Sequence, residues 1–484
     1  MTTIELDPGA ALLLDALHGA GHAAYAVGGC VRDSLLGLDP HDWDLCTSAR
    51  PEQVMALFGE EKCIPTGLQH GTVTVKQGGR LYETTTFRTE GAYSDGRHPD
   101  AVCFVPDVRE DLARRDFTIN AMAYSAEEGL IDPFGGRDDL AAHLVRAVGE
   151  PERRFEEDAL RILRLYRFAA RFGFAIDPAT GAAARALGPH LDCVSAERIQ
   201  EELLKLLAAP RPGSYLESAV LAVVLPELEP EKQPERFAEL CRTIDRIEPT
   251  AENMPARLAA LLCPLGEAGA RKALRKLKCS NALTDEVTAL EREAGGGAGS
   301  FLLGHEFELR HPADALCLER HSHPAGRCPN SNSLFPPQAA VVAVAGHSIA
   351  RPIACGNRVP PRRTVLGETP GTPNTTLTVQ AKRLLGRYEL PTIKRLTALC
   401  SARHPEQAEA FAALRAEAEQ LTAENACCRV SQLAVNGRDL MAAGVRPGPG
   451  LRQVLNALLE AVITGQTPNE KDALLAAAAQ FSAS

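Results

Sequence analysis

The chain has 484 residues, 45% of them hydrophobic and only 5% aromatic, with a formal net charge of −10. This length exceeds one ordinary domain and predicts about two to four, and the charge excludes a surface built to wrap nucleic acid everywhere, though not a local basic stripe. No apolar run reaches the roughly 20 residues that cross a bilayer, and the polar, acidic start MTTIELDPG lacks a secretory signal, so a cytoplasmic protein without membrane contact is expected. The 14 cysteines follow no framework spacing and read as reduced thiols. Cys317, His321, His323 and Cys328 are zinc-ligating types, but their spacing matches no closed zinc module and reads as an irregular loop.

Residues 9–20 are predicted to form a short helix with Leu12, Leu13, Leu14 and Leu17 on its apolar side. The run from Ala23 to Val27 reads as a strand entering the pair Gly28 and Gly29. Val31 to Leu36 starts a helix, and Asp42 and Asp44 fall on the next strand. Gly71 to Val75 and Leu81 to Phe87 are β-branched or alternating runs around Gly78 and Gly79, which predicts a hairpin. Strands over Thr118–Tyr124 and at Ile131–Asp132 complete a small sheet. Strand signals largely stop near residue 145, and low aromatic content with abundant Ala and Leu favours helices beyond. The first, from Glu156, puts Leu160, Leu163, Phe168 and Phe172 on an apolar side. Helices near 195–207, 215–227, 234–245, 253–264 and 267–277 follow. Residues 310–375, where ten prolines fall between Pro312 and Pro373, read as a long insertion or linker, with one short element near Val344. Helical periodicity resumes at Val379 and ends in a stripe of Leu455, Leu458, Leu459 and Val462 that reads as core. The fold class expected is α+β: a small mixed-sheet head, then a mainly helical remainder.

The chemistry concentrates in the head. Carboxylates at i and i+2 of an extended segment project to one side, so Asp42 and Asp44 can hold divalent ions beside a phosphate at the glycine turn. Glu83 is a candidate third carboxylate, and Trp43 packs on the opposite face. Gly28 and Gly29 allow a tight turn before helix amides that favour anions, and Arg32 offers a fork of donors. Arg115 and Asp116 can order sugar and phosphates, while Asn120 presents a donor and an acceptor for ribose. Asp158 and Arg161 lie i, i+3 on one expected helix, either as a surface salt bridge or as an acceptor and donor facing a nucleobase. A basic stripe of Arg109, Arg114, Arg115, Arg137, Arg146, Arg153, Arg154, Arg161, Arg164, Arg167 and Arg171 runs through the same half.

These motifs together resemble the bacterial CCA-adding enzymes, the tRNA nucleotidyltransferases of the group that includes poly(A) polymerases. They are GGCVRDSLLG from Gly28, DWDL from Asp42, RRDFTINAMA from Arg114, DPFGGRDDL from Asp132 and EDALRILRLYRFAARFGF from Glu157, in family order. A later stretch from Leu433 to Gly450 and on through Gly465 is similar to the C-terminal part of the Gram-positive form. The resemblance implies magnesium on Asp42 and Asp44, ribose discrimination by the second motif, and ATP and CTP reading by Asp158 and Arg161 with support from Arg164. It implies a nucleotidyltransferase head over 1–145, a helical neck over 146–207, a body over 208–385 interrupted by the insertion, and a tail over 386–484. The tRNA acceptor arm would lie along these parts with its 3′ end in the head. Two alternatives share the head motifs or their fold: an enzyme adding only A, either finishing the CCA end or making poly(A) tails, and a catalytically silent RNA-binding protein. The resemblance sets no oligomeric state.

Overall fold

The computed structural model describes residues 3–90, 102–295 and 376–481. The insertion 310–375, its element near Val344 and the Cys317, His321, His323 and Cys328 group lie outside the described residues.

The N-terminal region alternates short strands and helices: α1 (Pro8–Gly19), β1 (Ala24–Val27), α2 (Gly29–Leu35), β2 (Leu45–Thr47), α3 (Pro51–Phe58), β3 (Cys63–Gly67), β4 (Thr72–Gln77), β5 (Arg80–Thr86), β6 (Arg88–Glu90), β7 (Val102–Phe104), α4 (Val108–Ala113), β8 (Ala123–Ser125), β9 (Gly129–Ile131), α5 (Gly136–Ala141) and β10 (Leu144–Val145). Seven strands make one sheet in the order β3-β4-β5-β2-β1-β8-β9. The β2–β5 pairing is parallel, with Leu45 opposite Thr84, and its neighbours are antiparallel, so the sheet is mixed as expected. The hairpin of β4 and β5 turns at Gly78 and Gly79, both at positive φ, where a residue without Cβ is favoured. Val73 and Val75 of β4 are buried in the core, where β4 packs against α3.

After the sheet the chain is helical: α6 (Pro151–Glu157), α7 (Leu160–Phe172), β11 (Ala175–Ile176), α8 (Pro178–Ala186), α9 (Ala196–Leu207), α10 (Ser218–Val224), α11 (Pro234–Arg246), α12 (Met254–Leu262), α13 (Gly266–Lys276), α14 (Asn281–Ala294), α15 (Thr376–Arg387), α16 (Leu390–Arg403), α17 (Ala408–Ala423), α18 (Gly437–Ala442), α19 (Pro449–Ile463) and α20 (Lys471–Phe481). Buried Ile199, Leu203 and Leu206 of α9 pack with α7. Leu458 and Val462 of α19 are core, with Leu455 and Leu459 packed against it. Arg257 of α12 is fully buried without a carboxylate in hydrogen-bond contact. It donates instead to the carbonyls of Leu207 and Ala209 at 2.5 Å and of Ile247 at 2.6 and 2.9 Å, satisfying acceptors at the ends of α9 and α11. No helix among the described residues is long and apolar enough to cross a membrane.

The structure differs from expectation at several places. Leu12 is 57% exposed, because α1 buries only Leu13, Leu14 and Leu17 of its leucines. Thr118–Asn120 form a tight 3-10 turn rather than strand, since Thr118 bonds Asp139 and Asn120 bonds Asp116, leaving only Ala123–Ser125 to pair. Asp42 and Asp44 precede β2 rather than lying on it, although the Asp44 carbonyl still accepts from Val27 N at 2.9 Å. The helix expected from Glu156 is broken at Asp158, which is extended at φ −147° and ψ 102°. β11 pairs in parallel with β10 beyond the point where strand signals fade. Pro226 shortens the helix expected over 215–227 to α10.

Candidate active site

Trp43 is buried at 6%, while Asp42 and Asp44 on either side of it are exposed. The alternation of an extended segment thus turns both carboxylates to the open side and the indole into the core. Glu83 of β5 is exposed too, one residue before Thr84 in the register that aligns β5 with Leu45 of β2. Desolvation raises the Asp44 carboxyl above its ordinary range, and Glu83 and Asp42 push the same way against the opposing charge of Arg115. Asp42 and Asp44 are hard oxygen donors whose repulsion, shared with Glu83, a divalent cation would relieve, so the chemistry of the pair suits such an ion. Among the described residues no group of three His, Cys, Asp or Glu side chains is arranged to hold a metal. The pair Asp42 and Asp44 therefore has Glu83 as a neighbour, without the structure joining it as a third ligand.

Gly28 ends β1 at φ 77° and caps α2, its amide donating to Met122 O at 3.0 Å. A Cβ there would meet Arg115 Nη1 at 2.7 Å, so the absent side chain makes room for that guanidinium against the turn. Gly29 follows as the first residue of α2. Arg32 is only 3% exposed and engages other groups than an open phosphate seat. It donates from Nε to Asp33 Oδ1 at 2.7 Å and from Nη1 to Asn120 Oδ1 at 2.5 Å. Its guanidinium also lies 5.2 Å from the Phe168 ring and 4.9 Å from Phe172.

The second motif is joined to α7. Asp116, 8% exposed, accepts Asn120 Nδ2 at 3.0 Å and Arg164 Nε and Nη2 at 2.9 and 2.7 Å. Burial pulls its carboxyl upward, but Arg164, Asn120 and Arg161 outweigh that and hold it well below the usual carboxylate range. Both ends of the Asn120 amide are thereby taken by protein groups, Arg32 and Asp116. Arg164 approaches Glu202 of α9 at 3.8 Å, and Arg167 donates to the same Glu202 at 2.6 Å while covering the Phe168 ring at 4.0 Å. Glu202, 4% exposed, was not singled out from sequence. The signal available was an acid on the apolar side of an amphipathic helix, which demands a cationic partner.

Asp158 and Arg161 do not face each other from one helix. Asp158 sits in the break between α6 and α7, where its Oδ1 accepts Leu160 N at 3.1 Å and its Oδ2 accepts Arg198 Nη2 of α9 at 2.8 Å. Arg161 turns back to Glu157 at 2.8 Å and to the carbonyls of Arg154 and Arg114 at 3.1 and 2.9 Å. The local acceptance of an amide by Asp158 starts α7 afresh, which is why a continuous helical pattern is interrupted there.

Residues 24–146 match the family described as "Poly A polymerase head domain", and residues 382–478 match "tRNA nucleotidyltransferase domain 2". The chain is 33% identical to the CCA-adding enzyme of Lactiplantibacillus plantarum over 466 residues, 96% of this chain and 93% of that one. It is 43% identical to the CCA-adding enzyme of Lactobacillus helveticus over 277 residues, covering 57% of this chain and 68% of that enzyme. The match to the CCA-adding enzyme of Limosilactobacillus fermentum, at 49% identity, spans 50% of that enzyme. The crystal structure of the Bacillus stearothermophilus CCA-adding enzyme in complex with CTP superposes with a TM-score of 0.68 at 29% identity, over 98% of each chain. With near full-length similarity added to a head of this geometry, the chain belongs to the CCA-adding enzymes, the tRNA nucleotidyltransferases with a poly(A) polymerase-type head.

Proposed function

We propose that the protein adds C, C and A in turn to the 3′ end of tRNA, without a template, from CTP and ATP and with release of pyrophosphate, in the cytoplasm. The observation that carries this reading is the open pair Asp42 and Asp44 next to Gly28 and Arg115, tied through Asp116 to Arg164 on α7. The names of the full-length relatives and the CTP complex of the Bacillus stearothermophilus enzyme support the substrates. The proposed division of labour is a catalytic head over 1–145, a neck over 146–207, a body over 208–385 and a tRNA-holding tail over 386–484. Family matches over 24–146 and 382–478 support its two ends.

Magnesium held by Asp42 and Asp44, with Glu83 beside them, would supply the positive charge that eases deprotonation of the tRNA terminal hydroxyl and departure of pyrophosphate. The chain's own groups do the positioning. Gly28 and Gly29 let the backbone approach the triphosphate, and Arg115 aims donors across the turn. Asp116, held by Arg164, orients the ribose-facing side, with Asn120 acting through Asp116 and Arg32. Asp158 and Arg161 offer an acceptor and donors to the base, exchanging Arg198 and Glu157 for the nucleotide edge as it enters.

The test is incubation with tRNA lacking its last three nucleotides, with CTP, ATP or both. Two additions with CTP alone and three with both are expected. An enzyme that adds only A would leave this tRNA unextended by CTP, and a silent RNA-binding protein would release no pyrophosphate in any arm.

A further inference from the structure

Asp111, on α4, is 1% exposed and stands outside the motifs assigned to nucleotide handling. Its Oδ1 accepts Arg114 Nε and Nη2 at 3.1 and 2.9 Å and the Arg88 amide at 3.3 Å. Its Oδ2 accepts Arg115 Nη2 at 3.5 Å. One buried carboxylate thus divides its oxygens between two successive arginines. The other end of the Arg115 guanidinium, Nη1, lies in the space left by the missing Gly28 side chain. Arg115 Nε, on the same edge as Nη2, is buried without a hydrogen-bond partner, so among the described residues Asp111 alone accepts a hydrogen bond from this guanidinium.

We propose that Asp111 is a positioning residue for nucleotide binding: it holds the Arg115 fork flat against the glycine turn, so that the donors meet the incoming triphosphate without first being ordered. A long arginine left free loses rotamer entropy on each binding event, and prior fixation by a buried acceptor removes that cost. Asp111 does not touch substrate itself, because its exposure is nearly nil and the two arginines cover it. An ordinary helix-end ion pair at i, i+3 and i, i+4 would serve only stability. The inference rests on the reading that Arg115 meets the nucleotide, and the experiment separates the two.

Steady-state CTP addition to tRNA lacking CCA is measured for the parent, Asp111→Asn, Arg115→Lys and the double variant, with thermal midpoints. Arg115→Lys and Asp111→Asn are each expected to raise KM for CTP about tenfold with kcat within about twofold and KM for tRNA unchanged. In the Arg115→Lys background, Asp111→Asn is expected to add less than about twofold, since both act through one guanidinium. If Arg115→Lys leaves KM for CTP unchanged, the reading of Arg115 fails and this inference with it. If Arg115→Lys raises KM and Asp111→Asn does not, or the two effects multiply, only the positioning role is overturned. Should Asp111→Asn fold poorly, Asp111→Glu replaces it. That variant keeps the charge but shifts it by a methylene, and an unchanged KM for CTP in a folded Asp111→Glu protein overturns the role as well.

Discussion

Arg164 grips Asp116 with two donors on one oxygen, Nε at 2.9 Å and Nη2 at 2.7 Å, and so fastens the second motif of the head to the helix that follows it. The acid is almost fully buried, and removing one partner of such a pair strands the other. Asp116→Ala is expected to cost about 3–5 kcal/mol in urea unfolding at neutral pH. The Asp116 carboxyl is held below its ordinary 3.8. A depressed carboxyl stabilises the fold fully above the unfolded value, and that contribution fades as pH drops toward the folded one. The stability gap between parent and Asp116→Asn should therefore be constant near neutrality and shrink below about pH 4. A gap that widens on acidification would contradict the pairing.

Asp42 and Asp44 are open to solvent on either side of buried Trp43. Asp42→Ala is expected to lower CTP addition at least about a hundredfold while shifting the thermal midpoint by no more than about 2 °C, as an exposed substitution does. A chelator should abolish activity in the parent, and added magnesium should restore it. Turnover close to the parent's in Asp42→Ala would remove this residue from the chemistry.

Asp158 bonds Arg198, and Arg161 bonds Glu157. Asp158→Ala is expected to change the ratio of kcat/KM for CTP and ATP by about tenfold or more, the usual worth of a lost base-edge contact. An equal loss for both nucleotides would show that Asp158 serves only to start α7.

Glu291 of α14 is 3% exposed, and its Oε1 has no hydrogen-bond partner. Burial raises its carboxyl from 4.5 to about 7, with Arg403 opposing. A raised carboxyl favours the fold at low pH, and this contribution is lost as pH climbs from 4.5 through about 7. Stability is expected to fall by up to about 3 kcal/mol across that window, and Glu291→Gln should flatten the profile. A parent whose urea midpoint is as high at pH 8 as at pH 5 would refute this.

Much of the head was legible because its chemistry is local. The DWD alternation sorts one indole inward and two carboxylates outward without help from the rest of the chain, and the β4–β5 hairpin follows from β-branched runs around two glycines. What stayed hidden depends on partners distant in sequence. Arg32 beside a glycine turn reads as a phosphate fork, and only the fold brings Phe168, Phe172 and Asn120 around it. The break at Asp158 is invisible in a run of good helix formers, and its outer oxygen is claimed by Arg198 from α9. The two-residue strand β11 is too short for any periodicity to register.

The grip of α7 on the head has a mechanical outcome. Arg32 and Asp33, both in the helix that opens at the glycine turn, meet Phe168, Phe172 and Arg171, while Asp116 meets Arg164 a turn earlier. A rod clamped at successive levels along its length cannot tilt alone. A displacement at its start is therefore carried, as by a lever, to the helix that opens at the glycine turn.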